Sequence, residues 1–143
     1  MSVYQISVFL ENRAGQLAEI TGILAEQGVD LRAISIAETS DYGILRMIVD
    51  DATRTKEILT DKGYIHSMTP VLVVEAADQP GGLAPILAIL AENNLDIKYM
   101  YSLFTYREGK SYMVFRVSDE ERFKELLAEH GITTVDAADL GLK

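Results

Sequence analysis

Val3 to Leu10 sets Tyr4, Ile6, Val8 and Leu10 on one side and the polar Gln5 and Ser7 on the other, the period of a half-buried strand. Asn12 then offers a side-chain oxygen to cap a helix, and Gly15 lets the backbone turn tightly into it. Within that helix Leu17, Ile20, Ile23 and Leu24 form one apolar stripe that must bury against the sheet, and Gly28 ends it. Leu31 to Thr39 and Ile44 to Val49 are apolar and β-branched on either side of the turn-like Ser40-Asp41-Tyr42-Gly43, which predicts a hairpin. Asp50 or Asp51 caps a short second helix carrying Ile58 and Leu59. Gly63 stands where a left-handed residue closes that helix, and Tyr64 to Met68 is the predicted fourth strand. The order is β-α-β-β-α-β. It predicts an α+β fold of ferredoxin-like type, an antiparallel sheet with two helices on one face.

The pattern then starts again. Asn12 to Leu31 recurs as Asp78 to Ile97 at a constant offset of 66, with nine of twenty positions identical, among them Gly15 and Gly81, Leu17 and Leu83, and Asp30 and Asp96. Asp51 to Gly63 matches Asp119 to Gly131 at six of thirteen positions, now at an offset of 68. The second hairpin therefore carries a two-residue insertion around Arg107-Glu108-Gly109-Lys110. The chain reads as two modules, residues 1–69 and 70–143, with a joint at Thr69-Pro70, where proline withholds a ladder donor and pushes its predecessor toward extended geometry. In the second module Val71 to Ala76 is a strand, Gly81 to Asn94 a helix, Ile97 to Tyr106 and Ser111 to Ser118 a hairpin, and Phe123 to His130 a helix. Ser118-Asp119-Glu120-Glu121 has capping-box spacing, and Gly131 repeats the stop at Gly63. Val71-Leu72-Val73-Val74 is apolar on both sides, as in a strand covered on both faces. Modules this small bury little alone, so packing against each other and pairing of open strands within or between chains are expected.

Composition adds exclusions. At 48% apolar residues with three prolines, the 143-residue chain has the makeup of a folded protein. Its net charge of -9 is spread evenly, with ten acids and six bases in residues 1–70 against twelve and seven in 71–143. Nucleic-acid and polybasic membrane partners are disfavoured. No apolar run of about 18 residues and no leader pattern is present, so a cytoplasmic, membrane-free protein is expected. The absence of cysteine excludes disulfides and thiolate metal sites, and nothing else calls for a metal or a cofactor.

An enzyme reading finds little. His66 and His130 stand in different modules at no metal-ligand spacing, and the acid pairs Asp50-Asp51 and Glu120-Glu121 lie where helix starts favour acids. Lys110 to Val117 interleaves a base with aromatics on a third strand, as base-stacking domains do, but the acidic chain and the missing glycine-aromatic core favour packing for Tyr99, Tyr101, Phe104, Tyr112 and Phe115. The repeated turn is the remaining candidate. Asn12-Arg13-Ala14-Gly15 and Asp78-Gln79-Pro80-Gly81 each set a glycine turn before a helix, whose exposed N–H groups suit a carboxylate. Fifteen residues after each glycine, Asp30 and Asp96 can accept hydrogen bonds from an ammonium group. Together these match the two ends of a free α-amino acid. Caps, turns and loop closure account equally for each residue taken singly.

The chain resembles the ACT domain family of small-molecule-binding regulatory modules. The resemblance rests on the module order, on Val-Phe-Leu-Glu-Asn-Arg-Ala-Gly-Gln-Leu and Leu-Ala-Glu-Gln-Gly-Val-Asp-Leu in the first copy, and on Asp-Gln-Pro-Gly-Gly-Leu and Leu-Ala-Glu-Asn-Asn-Leu-Asp-Ile in the second. It implies a non-catalytic sensor binding a free amino acid at module interfaces. One site would be lined by Asn12, Ala14, Gly15, Gln16, Leu17 and Asp30. The other would be lined by Asp78, Pro80, Gly81, Gly82, Leu83 and Asp96. Ala14 in place of proline makes the first turn atypical, and Gly82 in place of Gln16 makes the second more open, so the two need not be equivalent. The implied partners are a second copy of the chain and a metabolic enzyme under regulation. The alternative is a structural or interaction subunit that docks onto such an enzyme without binding a ligand.

Overall fold

A computed structural model describes every residue except Met1, Asn12, Thr39 and Ser40. The elements in chain order are β1 (Val3–Glu11), α1 (Gln16–Glu26), β2 (Leu31–Glu38), β3 (Tyr42–Val49), α2 (Ala52–Asp61), β4 (His66–Ala77), α3 (Ala84–Glu92), β5 (Ile97–Ser102), β6 (Lys110–Val117), α4 (Glu120–Glu129) and β7 (Thr134–Val135). They form two compact units. The N-terminal unit holds Tyr4–Pro70 with Gly141–Lys143, and the C-terminal unit holds Met1–Val3 with Val71–Leu140.

In the N-terminal unit the strands run β2-β3-β1-β4, with β1 and β2 antiparallel to β3 and the Phe9 N–H donating to the Ile65 carbonyl at 2.9 Å. Ile6, Val8 and Leu10 pack with Leu45, Met47 and Val49 against Ile20 and Leu24 of α1 and Leu59 of α2, so both helices cover one face. The core side of β1 begins at Ile6. Tyr4, expected on that side, is 43% exposed, and the polar Gln5 is fully buried with its Nε2 donating to Ser7 Oγ at 3.1 Å. In the C-terminal unit the order is β7-β4-β6-β5. Leu72, Val74 and Ala76 meet Phe115, Ile86, Leu90, Phe123 and Leu127, the same arrangement rebuilt around an edge-to-face Phe115–Phe123 pair. All four residues Val71 to Val74 are buried, as their two-sided apolar character implies. The fold is α+β, two ferredoxin-like modules.

Proline does not break the strand as expected. β4 runs from His66 to Ala77 through Pro70, because extended backbone suits the proline ring and only one donor is lost. Tyr42 and Gly43, expected in the hairpin turn, belong to β3, and Tyr42 stacks on Phe9 with ring centroids 4.6 Å apart. The rest of that turn, Thr39 and Ser40, lies outside the described residues. The first strand of the second hairpin stops at Ser102 instead of Tyr106, and the chain re-forms a bridge at Arg107 and Lys110.

Both second helices are capped alike. Asp51 accepts from the Arg54 N–H and Asp119 from the Arg122 N–H, each at 3.1 Å, so α4 begins at Glu120 rather than Phe123. Ser118 is not the cap. Its hydroxyl accepts from the Asp96 N–H at 3.1 Å instead. α3 begins at Ala84 instead of Gly81, because Gly81 and Gly82 are spent on the turn before it. Where α1 is followed by Gly28 in the left-handed region, α3 is followed by Asn94 at φ 54°, the residue type after glycine that tolerates it best.

Candidate functional site

The two glycine turns come from the same sequence pattern and are built differently. In the N-terminal unit Gly15 takes φ 86° with open space around it, which only glycine adopts freely, and α1 starts at the next residue. Ala14 is exposed and Leu17 half-buried, while Gln16 is buried and its Oε1 has no hydrogen-bond partner. A buried acceptor without a donor is unfavourable by about 1–3 kcal/mol, so that oxygen is poised for an N–H from outside the chain. The turn itself is held by Arg13, which pairs with Glu11 at 3.5 Å and Glu19 at 3.3 Å, while the Tyr64 hydroxyl donates to Glu19 at 2.5 Å. The Tyr64 and Arg13 hydrogen bonds hold the Glu19 carboxyl below its usual range. Burial and the Glu19 bond push the Tyr64 phenol up to about 12. Asn12 lies outside the described residues.

The C-terminal turn spends its own donors. Asp78 donates to the Gly109 carbonyl, Gln79 to Ala77 and Gly82 to Gln79, each at 3.0 Å. Asp78 and Pro80 are exposed, Gly81 takes φ 79°, and Leu83 heads α3 without a side-chain cap. A Cβ at Gly82 would lie 1.8 Å from the Ala77 carbonyl oxygen, so Gly82 marks a close backbone approach and the turn is tighter, not more open. Beside it a cavity of about 240 Å³ opens, bordered by Glu75, Pro85, Ile86, Lys110 and Ile132.

Asp30 and Asp96 occupy matched positions. Asp30 exchanges backbone bonds with Asp50, its N–H donating to Asp50 Oδ1 at 2.9 Å and its carbonyl accepting from the Asp50 N–H at 3.0 Å. Asp96 does the same with Ser118, at 3.1 and 2.9 Å. Loop closure is therefore backbone work, and the carboxylates stay exposed, that of Asp30 at 3.4 Å from Arg32. A bulge follows each aspartate, between Leu31 and Ala33 and between Ile97 and Tyr99, and bulges re-aim the side chains beside them. Among the described residues, neither aspartate bonds to the glycine turn of its own unit.

Other candidates settle into structural roles. His66 and His130 each bond a backbone carbonyl through Nδ1, of Tyr64 at 2.9 Å and of Leu126 at 2.8 Å. Tyr112 and Phe115 are buried and closed to base stacking, whereas Phe104, expected in packing, is 55% exposed. The described residues contain no group of three or more His, Cys, Asp or Glu able to hold a metal, and no helix long and apolar enough to cross a membrane. Sequence reasoning passed over Glu75, Lys110 and Tyr64. They are positions where the two repeats differ, a signal available from the repeat alignment itself.

A family model described as ACT domain pair matches residues 1–142. The chain belongs to that family. Among curated relatives, this ACT domain pair is 26% identical over 104 residues to an acetolactate synthase small subunit of Buchnera aphidicola, covering 69% of this chain and 66% of that one. It is 27% identical over 74 residues to the acetolactate synthase isozyme 3 small subunit of Escherichia coli, covering 52% and 45%. The chain thus spans 45–66% of the length of these relatives. A crystal structure of a Bacteroides thetaiotaomicron protein matches with TM-score 0.89 and 35% identity over 99% of this chain and 96% of that one. The ligand-free regulatory subunit of aspartate kinase from Thermus thermophilus matches at TM-score 0.64 and 16% identity over 90% and 93%, a likeness of fold.

Proposed function

We propose that this ACT domain pair is a non-catalytic regulatory protein that binds a free amino acid at its glycine turns and controls an enzyme of amino-acid metabolism carried on another chain. The observation that carries the reading is Gln16: a buried amide oxygen without a donor, at a helix start whose glycine leaves backbone N–H groups uncapped by its own residue. An amino acid supplies both complements, a carboxylate for main-chain N–H groups and an ammonium for acceptors. Asp30 and Asp96, their carboxylates released from loop closure, are the candidates to take the ammonium. Similarity to acetolactate synthase small subunits supports a subunit that acts on a catalytic partner. Signalling then requires that the ligand favour one arrangement over another, and a coupling of about 1–3 kcal/mol is ordinary.

The test is a thermal-shift screen of the twenty amino acids. A ligand at about 100 times its dissociation constant adds roughly 2.7 kcal/mol of stability, and Asp30→Asn with Asp96→Asn should abolish that gain. No shift with any amino acid refutes the reading. A second reading, an interaction subunit without a ligand, is favoured by the apolar surface at Phe9 and Ile65, 44% and 75% exposed, around a small cavity with Ile44. Co-purification with a catalytic chain, unchanged by both Asp→Asn substitutions and by added amino acids, would select it.

A further inference from the structure

The repeats diverge most where the C-terminal unit has its 240 Å³ cavity. Register fixes the equivalence, since Glu11 pairs with Tyr42 in one unit as Ala77 pairs with Lys110 in the other. Phe9 and Tyr42 of the first repeat therefore correspond to Glu75 and Lys110 of the second, and a ring stack at 4.6 Å has become an ion pair at 3.3 Å. At the next equivalent positions the N-terminal unit carries the buried Gln16 and the bonded pair Glu19–Tyr64. The C-terminal unit carries Gly82, Pro85 and Ile132 there, and these border open space. Side chains have been exchanged for volume and for charge.

The charges are unequal in freedom. Glu75 is only 19% exposed at its side chain and also accepts from the Tyr112 hydroxyl at 3.0 Å, whose ring is capped by the Arg107 guanidinium at 5.6 Å. Lys110 is 50% exposed at the end of a flexible stem. Glu75 is thus a fixed acceptor and Lys110 a movable cation. Strand alternation sends the Ala77 N–H to the same edge of β4 as the Glu75 N–H, which bonds the Thr133 carbonyl at 2.9 Å, and that edge borders the cavity. Ile86, Ile132 and Pro85 supply an apolar wall.

We infer that this cavity is a binding site for a small aliphatic α-amino acid contained within the C-terminal unit alone. The ligand ammonium replaces Lys110 on Glu75, the carboxylate takes Lys110 and the Ala77 N–H, and the side chain lies against Ile86, Ile132 and Pro85. The inference shares its ligand class with the function proposed above but uses neither Asp30 nor Asp96. The test is calorimetric titration of the full chain with L-valine, L-leucine and L-isoleucine. One equivalent should bind, and Glu75→Gln should weaken it about tenfold or more, the usual loss when a charged partner is removed. Ile132→Trp should abolish binding by filling the cavity, and the Asp30→Asn, Asp96→Asn double variant should leave it unchanged. If Ile132→Trp unfolds the chain, Glu75→Gln with an unshifted melting curve decides. Wild-type affinity in Glu75→Gln overturns the site, and if binding is lost in the double aspartate variant instead, the function proposed above stands without it. No binding of these three probes also overturns it, whatever the wider screen returns.

Discussion

Gly82→Ala and Gly81→Ala, adjacent substitutions of one methyl group each, should differ in effect by several-fold. Gly81 has φ 79° and nothing within 4 Å of a would-be Cβ, so alanine there meets only the left-handed penalty, about 1–2 kcal/mol. At Gly82 the added carbon falls 1.8 Å from the Ala77 oxygen and 2.9 Å from its carbonyl carbon. Both obstructions are backbone, so no rotamer relieves them. Either β4 lets go of its last residue or the Gly82–Gln79 bond opens, and the sum of overpacking and a lost turn is about 3 kcal/mol or more. At roughly 4 °C per kcal/mol for a chain of this size, Gly82→Ala should lower Tm by about 12 °C and Gly81→Ala by about 4–8 °C. Calorimetry measures both, and hydrogen exchange should place the loss in β4 and α3. Equal melting temperatures for the two variants would show that the turn relaxes freely, and the close-approach argument would fail.

The duplicated caps give a matched pair: Asp51→Ala and Asp119→Ala should each lose about 1 kcal/mol in urea unfolding, the N-cap value, and Ser118→Ala should spare α4 while loosening the Asp96 loop. Phe123→Ala empties a fully buried site packed edge-on against Phe115 at 5.4 Å and should lose about 3–5 kcal/mol. Tyr64 should titrate last among the tyrosines by near-ultraviolet absorbance, near 12, and Glu19→Gln should bring it down. Because the folded pKa is raised, the stability this phenol contributes is complete below its ordinary value near 10 and is lost as pH rises through about 12. The Glu19 carboxyl behaves oppositely: its pKa is lowered, so its contribution is present above the ordinary carboxylate range and fades as pH falls through the folded value, which Tyr64→Phe should raise in a carboxyl NMR titration.

Local signals were legible. The stripe at Ile20 and Leu24, the alternation at Ile6, Val8 and Leu10, the cap at Asp51 and the left-handed glycines Gly28, Gly63 and Gly131 are each decided by neighbours in the chain, and each stands where the pattern puts it. What escaped depends on partners distant in sequence. Pro70 reads as a break, yet a strand tolerates one missing donor when its flanks are paired. Ser118 and Asp119 are both plausible caps, and only the approach of Asp96 decides that the serine is engaged elsewhere. The Tyr64–Glu19 bond and the Glu75–Lys110 pair join residues from different elements, and no spacing rule foretells them. The candidate aspartates show both limits. Their recurrence was visible, but that their loops close through main-chain atoms, leaving the carboxylates exposed, required coordinates.

The units do not end where the repeat does. Ser2 and Val3 belong with the C-terminal unit, and the last residues with the N-terminal one, where the Lys143 N–H donates to the Asp50 carbonyl at 2.8 Å. Severing the chain at Pro70 would therefore yield two incomplete halves, one lacking a strand residue that is 2% exposed and the other lacking its tail. The ancestral duplication has become irreversible: each copy now depends on residues encoded at the far end of the other. Recombination that shuffled a single half into another protein would carry away a damaged part, so the pair is the smallest piece of this sequence that can be inherited, expressed or engineered intact.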